Sequence, residues 1–214
     1  MSVFKKEDIA NAYDAYYQTE MGRKVDEIER KLMHKLLSSI PRGNMLELGC
    51  GTGHWTKFFI DEGFRLTALD NSEMMLKLAE HKHIPAKFQW ADAGYLPVED
   101  SSYPAVSSVT MLEFVEDQEK VMEEMYRVLQ PGGWLILGCL NADSMLGKTK
   151  EQSETFRNAK FFTPGSLKQK LQRFGTPQMG YGVYFSSDFE LLDDTPEKVD
   201  AAPAFMAAIV KKSI

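Results

Sequence analysis

"LELGCGTGHW", residues 46–55, is an apolar run that meets an acid at Glu47 and then breaks into three alternating glycines, Gly49, Gly51 and Gly53. A short apolar run ended by glycine reads as a buried strand. "HWTKFFIDEG", 54–63, reads as the helix that follows, closed by Gly63. Strand, glycine loop and helix in that order belong to a parallel sheet, which binds ligands beyond the carboxyl ends of its strands. Glycine at that point lets something lie close to the backbone. The loop alone does not say what. Dinucleotides, flavins and adenosyl ligands all use one, and glycines also serve merely to turn a chain.

Outward from the loop the alternation continues. "FRLTALD" (64–70) is a second strand, and Ser72 is an N-cap for "EMMLKLAEHK" (73–82), with Glu73 in its first turn. "AKFQWAD" (86–92) and "AVSSVTML" (105–112) are the third and fourth strands. "DQEKVMEEMYRVL" (117–129) is an amphipathic helix with Val121, Met122, Met125, Val128 and Leu129 on one face. "QPGG" (130–133) reads as a sharp turn before "WLILGCL" (134–140), a fifth strand buried on both sides. A helix from about 164 to 174 and two late strands, "MGYGVYF" (179–185) and "FMAAIVKK" (205–212), complete the chain, with an acidic, proline-containing loop between the strands. The sum is an α/β fold with a parallel sheet covered on both faces. Upstream, Val25, Ile28, Leu32 and Leu36 recur at helical spacing, as do Ile9, Tyr13 and Tyr16, and Gly22 reads as the break between two helices. No linker divides the chain, so 1–214 is expected to be a single domain: a cap over 1–40, a ligand-binding core over 41–140, and a substrate-side segment with the last strands over 141–214.

The composition excludes several function classes. A formal charge of −6 with no dense basic block gives no reason to expect nucleic acid as a partner. The opening "MSVFKKEDIANAY" lacks the apolar core of a signal peptide, and the longest apolar stretch is too short to span a bilayer. A cytoplasmic location is therefore expected, with Cys50 and Cys139 as thiols. The four histidines and two cysteines make no metal pattern. His54 is read as a solvent-facing residue of a first helical turn.

Two details argue against a dinucleotide. Its fingerprint is G-x-G-x-x-G, whereas here the sixth position is His54 and the third glycine arrives one residue early. Glu47 also puts a carboxylate just before the loop, and like charges about 4 Å apart repel by roughly 4 kcal/mol at a surface-like dielectric. A pyrophosphate loses by that neighbour; an ammonium or sulfonium gains. The second strand ends in Asp70, which can accept from both hydroxyls of a ribose, and the third in Asp92, which can accept from an adenine amine. Each acid taken alone is as readily a cap or turn residue. Three at successive strand ends point to a nucleoside.

"LELGCGTG", "ALDNSEMM", "ADAGYLPVED", "VTMLEFVED" and "MYRVLQPGGWLILG", in this order from about 45 to 140, resemble successive motifs of the class I S-adenosylmethionine-dependent methyltransferases, in the group that includes ubiquinone and menaquinone methyltransferases. "RNAKFFTPGSLKQKLQRFG" and the opening "YDAYYQTEMGR" extend the likeness more weakly. The resemblance implies a Rossmann-like, doubly wound seven-stranded sheet, six strands parallel and one antiparallel, with an N-terminal helical lid. It implies S-adenosyl-L-methionine as cofactor, with Glu47 at its methionyl end, and Gly49, Cys50 and Gly51 beneath it. Asp70 and Asn71 would then lie at the ribose, Asp92 and Ala93 at the adenine, and the backbone of Val109 and Thr110 at the methionyl amine. Tyr13, Tyr17 and Arg23 resemble a cap, with Arg23 able to pair with the methionyl carboxylate. Where some quinone O-methyltransferases hold a divalent metal, this chain has Thr110, Glu113 and Phe114, one suitable ligand of three, so metal-free chemistry is expected.

Methyl transfer from a sulfonium needs alignment above all, and a base only where the acceptor must lose a proton. Glu113, just past the fourth strand, and Tyr17 are the candidates for contact with the reacting groups. Tyr13, Tyr16, Tyr17, Phe161 and Phe162 favour a small apolar or aromatic acceptor, whose accepting atom the sequence does not reveal. Two rivals stand beside this reading: a nicotinamide-dependent oxidoreductase, and an adenosyl-ligand-binding protein without turnover. The sequence is silent on assembly.

Overall fold

The computed structural model describes residues 13–192 and 201–214. Its strands are β1 (Asn44–Leu48), β2 (Arg65–Asp70), β3 (Lys87–Trp90), β4 (Tyr103–Val109), β5 (Leu129–Leu140), β6 (Gln178–Gly182) and β7 (Phe205–Lys211). They form one sheet in the order β3-β2-β1-β4-β5-β7-β6. β7 alone runs against its neighbours, between β5 and β6. The described helices are α1 (Glu20–Leu37), α2 (His54–Asp61), α3 (Glu73–His81), α4 (Gln118–Val128), α5 (Met145–Thr149) and α6 (Pro164–Leu171). The chain steps outward from β1 to β3, then returns to lay β4 on the other side of β1. That reversal parts the loops at the carboxyl ends of β1 and β4, and opens a crevice there.

Strand alternation sorts the side chains into two cores. Leu46, Leu48, Val106, Leu135 and Leu137 pack with the apolar face of α4 and with Leu167 and Leu171 of α6. On the other face, Met45, Ala105, Val109 and Ile136 pack with Trp55, Phe58 and Phe59 of α2 and Val25, Met33 and Leu37 of α1. α1 lies flat against the far end of the sheet because β6 offers it glycine. A Cβ on Gly180 would come 2.7 Å from a Leu32 methyl, and one on Gly182 3.1 Å from Ile28.

Local chemistry sets the boundaries. Ser72 caps α3 by accepting from Met75 N–H, and Gly63, at φ +93°, follows the end of α2. Two expectations are corrected. "QPGG" does not end an element: β5 begins at Leu129 and runs through it, and the pairing with β4 slips between Tyr103 and Ala105. The slip falls beside Pro104, which has no N–H to give to a ladder. Nor is Gly22 the break near the N-terminus. The turn ends at Thr19, whose hydroxyl caps α1 by accepting from Gly22 N–H, and a Cβ on Gly22 would sit 2.0 Å from the carbonyl oxygen of Tyr16. Glycine is needed there for close approach. Ile9 and the acidic loop 193–200 lie outside the described residues.

Candidate active site

The loop after β1 folds back over the end of β2, where the N–H groups of Gly49 and Cys50 both donate to the Leu69 carbonyl, at 2.7 and 3.0 Å. Gly49, Gly51 and Gly53 take φ of +72°, +51° and +82°, which side chains strongly disfavour. Gly51 N–H donates to Asp70 Oδ2 and Ser72 N–H to Oδ1, both at 2.8 Å. The carboxylate at the end of β2 is thereby fixed under the loop. A Cβ on Gly49 would strike Met111 at 2.2 Å, whereas one on Gly51 would meet nothing within 4 Å.

This loop is one wall of a cavity of about 960 Å³. Beyond β3, Asp92 accepts from Gly94 N–H at 2.9 Å, and Lys120 of α4 sets its ammonium 3.1 Å from the centre of the Tyr95 ring. Beyond β4, Thr110 sits at φ +48°, a conformation costly for a branched residue and often found at functional sites. Its N–H donates to the Gly138 carbonyl at 2.8 Å. Phe114, Asn158 and Lys160 also line the cavity. Lys160 is tied down twice, N–H to the Glu113 carbonyl at 2.7 Å and Nζ to the Glu116 carbonyl at 2.6 Å. The Phe114, Phe156 and Phe161 rings stand in sequence behind it, at 6.1 and 5.7 Å.

Of the residues singled out in the sequence, Tyr13, Gly49, Gly51, Asp70, Asn71, Asp92, Ala93, Val109 and Thr110 line this cavity. Tyr17, Arg23, Glu47, Cys50 and Glu113 are not among its lining residues. Glu47 is buried under the loop and accepts from the Thr56 hydroxyl at 2.6 Å; burial pushes its pKa up to about 8. Glu47 therefore sits beneath the loop, while Asp70 lines the cavity. Cys50 is buried with its thiol pushed up by desolvation. Glu113 is fully buried: Oε1 accepts from Leu140 N–H at 2.6 Å, Oε2 has no hydrogen-bond partner among the described residues, and burial pushes its pKa up to about 7. Arg23 is exposed and donates to the Gln18 carbonyl. Tyr17 shares a hydrogen bond with Tyr13, hydroxyl to hydroxyl at 3.2 Å, and lies flat on His54. Burial raises both phenols, Tyr13 to about 12, so both are neutral at physiological pH.

Sequence reasoning missed Tyr95, Lys120, Asn158 and Lys160. Lys120 lies in the first turn of a helix whose apolar face alone was legible, and Asn158 and Lys160 reach the cavity only because the chain returns over β4. His54, expected in solvent, has a side chain 15% exposed, bonded to Asp26 at 2.6 Å.

A parallel sheet with one reversed strand, a glycine loop after β1 and carboxylates at the ends of β2 and β3 define a nucleoside-cofactor-dependent α/β enzyme. Residues 46–137 match the methyltransferase domain family. An uncharacterised protein of Methanocaldococcus jannaschii is 34% identical over 180 residues, 82% of this chain and 81% of its own length. The malonyl-[acyl-carrier protein] O-methyltransferase of Serratia marcescens is 30% identical over 142 residues, 64% of this chain; the chain spans only 56% of that enzyme. The crystal structure of a SAM-dependent methyltransferase of Thermotoga maritima superimposes with a TM-score of 0.76 at 25% identity, over 97% of this chain and 98% of that one. The chain belongs to the class I S-adenosylmethionine-dependent methyltransferases. It is an enzyme whose cofactor is S-adenosyl-L-methionine. The cavity suits that group: bare backbone at Gly51, and acceptor carboxylates at Asp70 and Asp92 fit hydroxyls and amines far better than phosphates.

Proposed function

We propose that this methyltransferase acts on a small molecule with an apolar or aromatic body, held in the same cavity as the cofactor and methylated without a metal. One observation supports the reading: besides the strand-end acids, the same cavity is lined by Met111, Phe114, Val115, Asn158 and Lys160. Its volume is at the upper end of the roughly 300–1,000 Å³ usual for small-molecule sites, room for a cofactor and one modest acceptor. The relatives are named for unlike acceptors: a malonyl group on acyl-carrier protein, demethylmenaquinone, and, for the Thermotoga protein, a "possible histamine N-methyltransferase". The acceptor is accordingly read from the cavity and not from them.

The bound cofactor supplies the methyl group on its sulfonium. Asp70, oriented by the two backbone N–H groups, accepts from the ribose hydroxyls, and Asn71 lies beside it. Asp92 and the backbone of Ala93 read the adenine. Gly49 and Gly51 let the ligand lie against the main chain, and the Val109–Thr110 backbone faces the methionyl amine. Tyr13 closes that end as a neutral hydroxyl, and Phe114 and Met111 exclude water from the acceptor. Glu113 holds the wall, its carboxyl joining the ends of β4 and β5, and acts through that position rather than as a base. The test is release of S-adenosylhomocysteine on mixing enzyme and cofactor with a metabolite extract, repeated after EDTA. Turnover on small molecules that survives EDTA is expected. Loss on chelation and recovery with magnesium would overturn the metal-free reading, and turnover only on protein fractions would overturn the small acceptor.

A further inference from the structure

The residues on either side of Gly53 each take hold of the segment that precedes α1, helical over 13–16 and turning over 17–19. Before it, the Thr52 hydroxyl donates to Asp14 Oδ1 at 2.6 Å, and Asp14 Oδ2 pairs with Lys82 at 2.7 Å. After it, the His54 ring stacks on Tyr17, centroids 3.6 Å apart and planes within 13°. The imidazole is locked from behind, with Nε2 2.6 Å from Asp26 Oδ1, and both Asp26 oxygens within 2.9 Å of Arg30 Nε on α1. Asp26 and Arg30 belong to a helix already packed on the sheet, so the ring cannot swing. Tyr17 in turn bonds to the Tyr13 hydroxyl, and Tyr13 lines the cavity.

We propose that His54 is a positioning residue for cofactor binding: through the stacked Tyr17 it sets Tyr13 over the methionyl end, so that filling the glycine loop and ordering the segment over 13–19 are one event. This rests on the cavity being the cofactor site. The stacking surface does the positioning, because Asp26 keeps its Arg30 partner when the imidazole is removed. An aromatic ring at 54 should therefore serve where a polar chain of similar reach does not.

The experiment compares wild type, His54→Ala, His54→Gln and His54→Phe for binding of S-adenosylhomocysteine and of adenosine by calorimetry, with hydrogen exchange over 13–19. Loss of the stacked pair behind Tyr13 should leave His54→Ala and His54→Gln about tenfold weaker for S-adenosylhomocysteine, with His54→Phe close to wild type. Adenosine, which has no methionyl end, should bind all four alike. The protection that ligand confers on 13–19 should vanish in the Ala and Gln variants and return in Phe. Unchanged affinity and protection in His54→Ala would overturn the proposal. Equal loss of adenosine binding would overturn it too, since the loop itself would then have collapsed. Failure of the wild type to bind S-adenosylhomocysteine would instead remove the underlying cofactor-site reading.

Discussion

Both oxygens of Asp70 are engaged by backbone N–H groups, so the side chain holds the glycine loop as well as lining the cavity. Hydrogen bonds to a charged group are worth about 1.5–3 kcal/mol each. Asp70→Ala should weaken S-adenosylhomocysteine binding at least about tenfold by calorimetry, and unchanged affinity would remove the ribose assignment. The glycines separate strain from space. Gly49 and Gly51 both have positive φ, but a Cβ strikes Met111 only at Gly49. Gly49→Ala should therefore lose stability, by more than about 1 kcal/mol in urea denaturation. Gly51→Ala should lose affinity more than stability, since its methyl enters the space the cofactor takes. Equal effects of the two substitutions would show that φ alone governs this loop. The placement of these residues at the cavity was legible in the sequence because strand-end acids and glycine spacing are local. The surroundings of Glu47 were not legible for a physical reason: spacing shows that an acid adjoins the loop, not that the Thr56 hydroxyl donates to it from beneath.

At the scale of elements, the helical region expected to act as a cap divides in two. α1 buries Val25, Met33 and Leu37 against the sheet and α2, and is a fixed layer of the fold. Among the described residues of this region, the cavity is reached through Tyr13, in the short helical segment before α1. Cofactor should slow hydrogen exchange over 13–19 while leaving α1 from Val25 onward unchanged, because local opening tracks contacts that depend on what is covered. Protection spreading along all of α1 would restore a lid of forty residues. The helix was readable from its 3.6-residue period. Its seat on β6 was not, since that depends on the glycines at 180 and 182, more than a hundred residues away along the chain. Likewise "QPGG" has the chemistry of a turn, and only the partner strand shows that it is absorbed as an irregularity beside Pro104.

For the molecule as a whole, the buried carboxyls impose a pH dependence. Glu29 and Glu47 are pushed up to about 8 and Glu113 to about 7 from an ordinary 4.5, in each case chiefly by burial. A raised folded-state pKa means that the folded chain binds more protons than the unfolded one between the two values. The stability these groups contribute is thus whole below about pH 4.5 and is lost as pH climbs through 7 to 8. Against that background, Glu113→Gln should flatten the fall in urea midpoint between about pH 5 and 7. An unaltered slope would mean that Glu113 is ionised in the folded protein. The overall architecture was readable because alternating strands and helices admit few arrangements. The acceptor end of the cavity was not, because its walls come from segments that only the finished fold brings together.

The reversed strand β7 has a consequence for how such a chain is made. Synthesis delivers β5 and β6 well before β7, yet β7 must lie between them, touching both. Until it arrives, β5 carries a bare edge of apolar residues, Leu135, Ile136 and Leu137 among them, and β6 has no strand to join. Such edges invite pairing with other chains. The nascent protein therefore waits, half-zipped, on its final strand, and a ribosome stalled before Phe205 should release a product that aggregates rather than one that binds cofactor weakly.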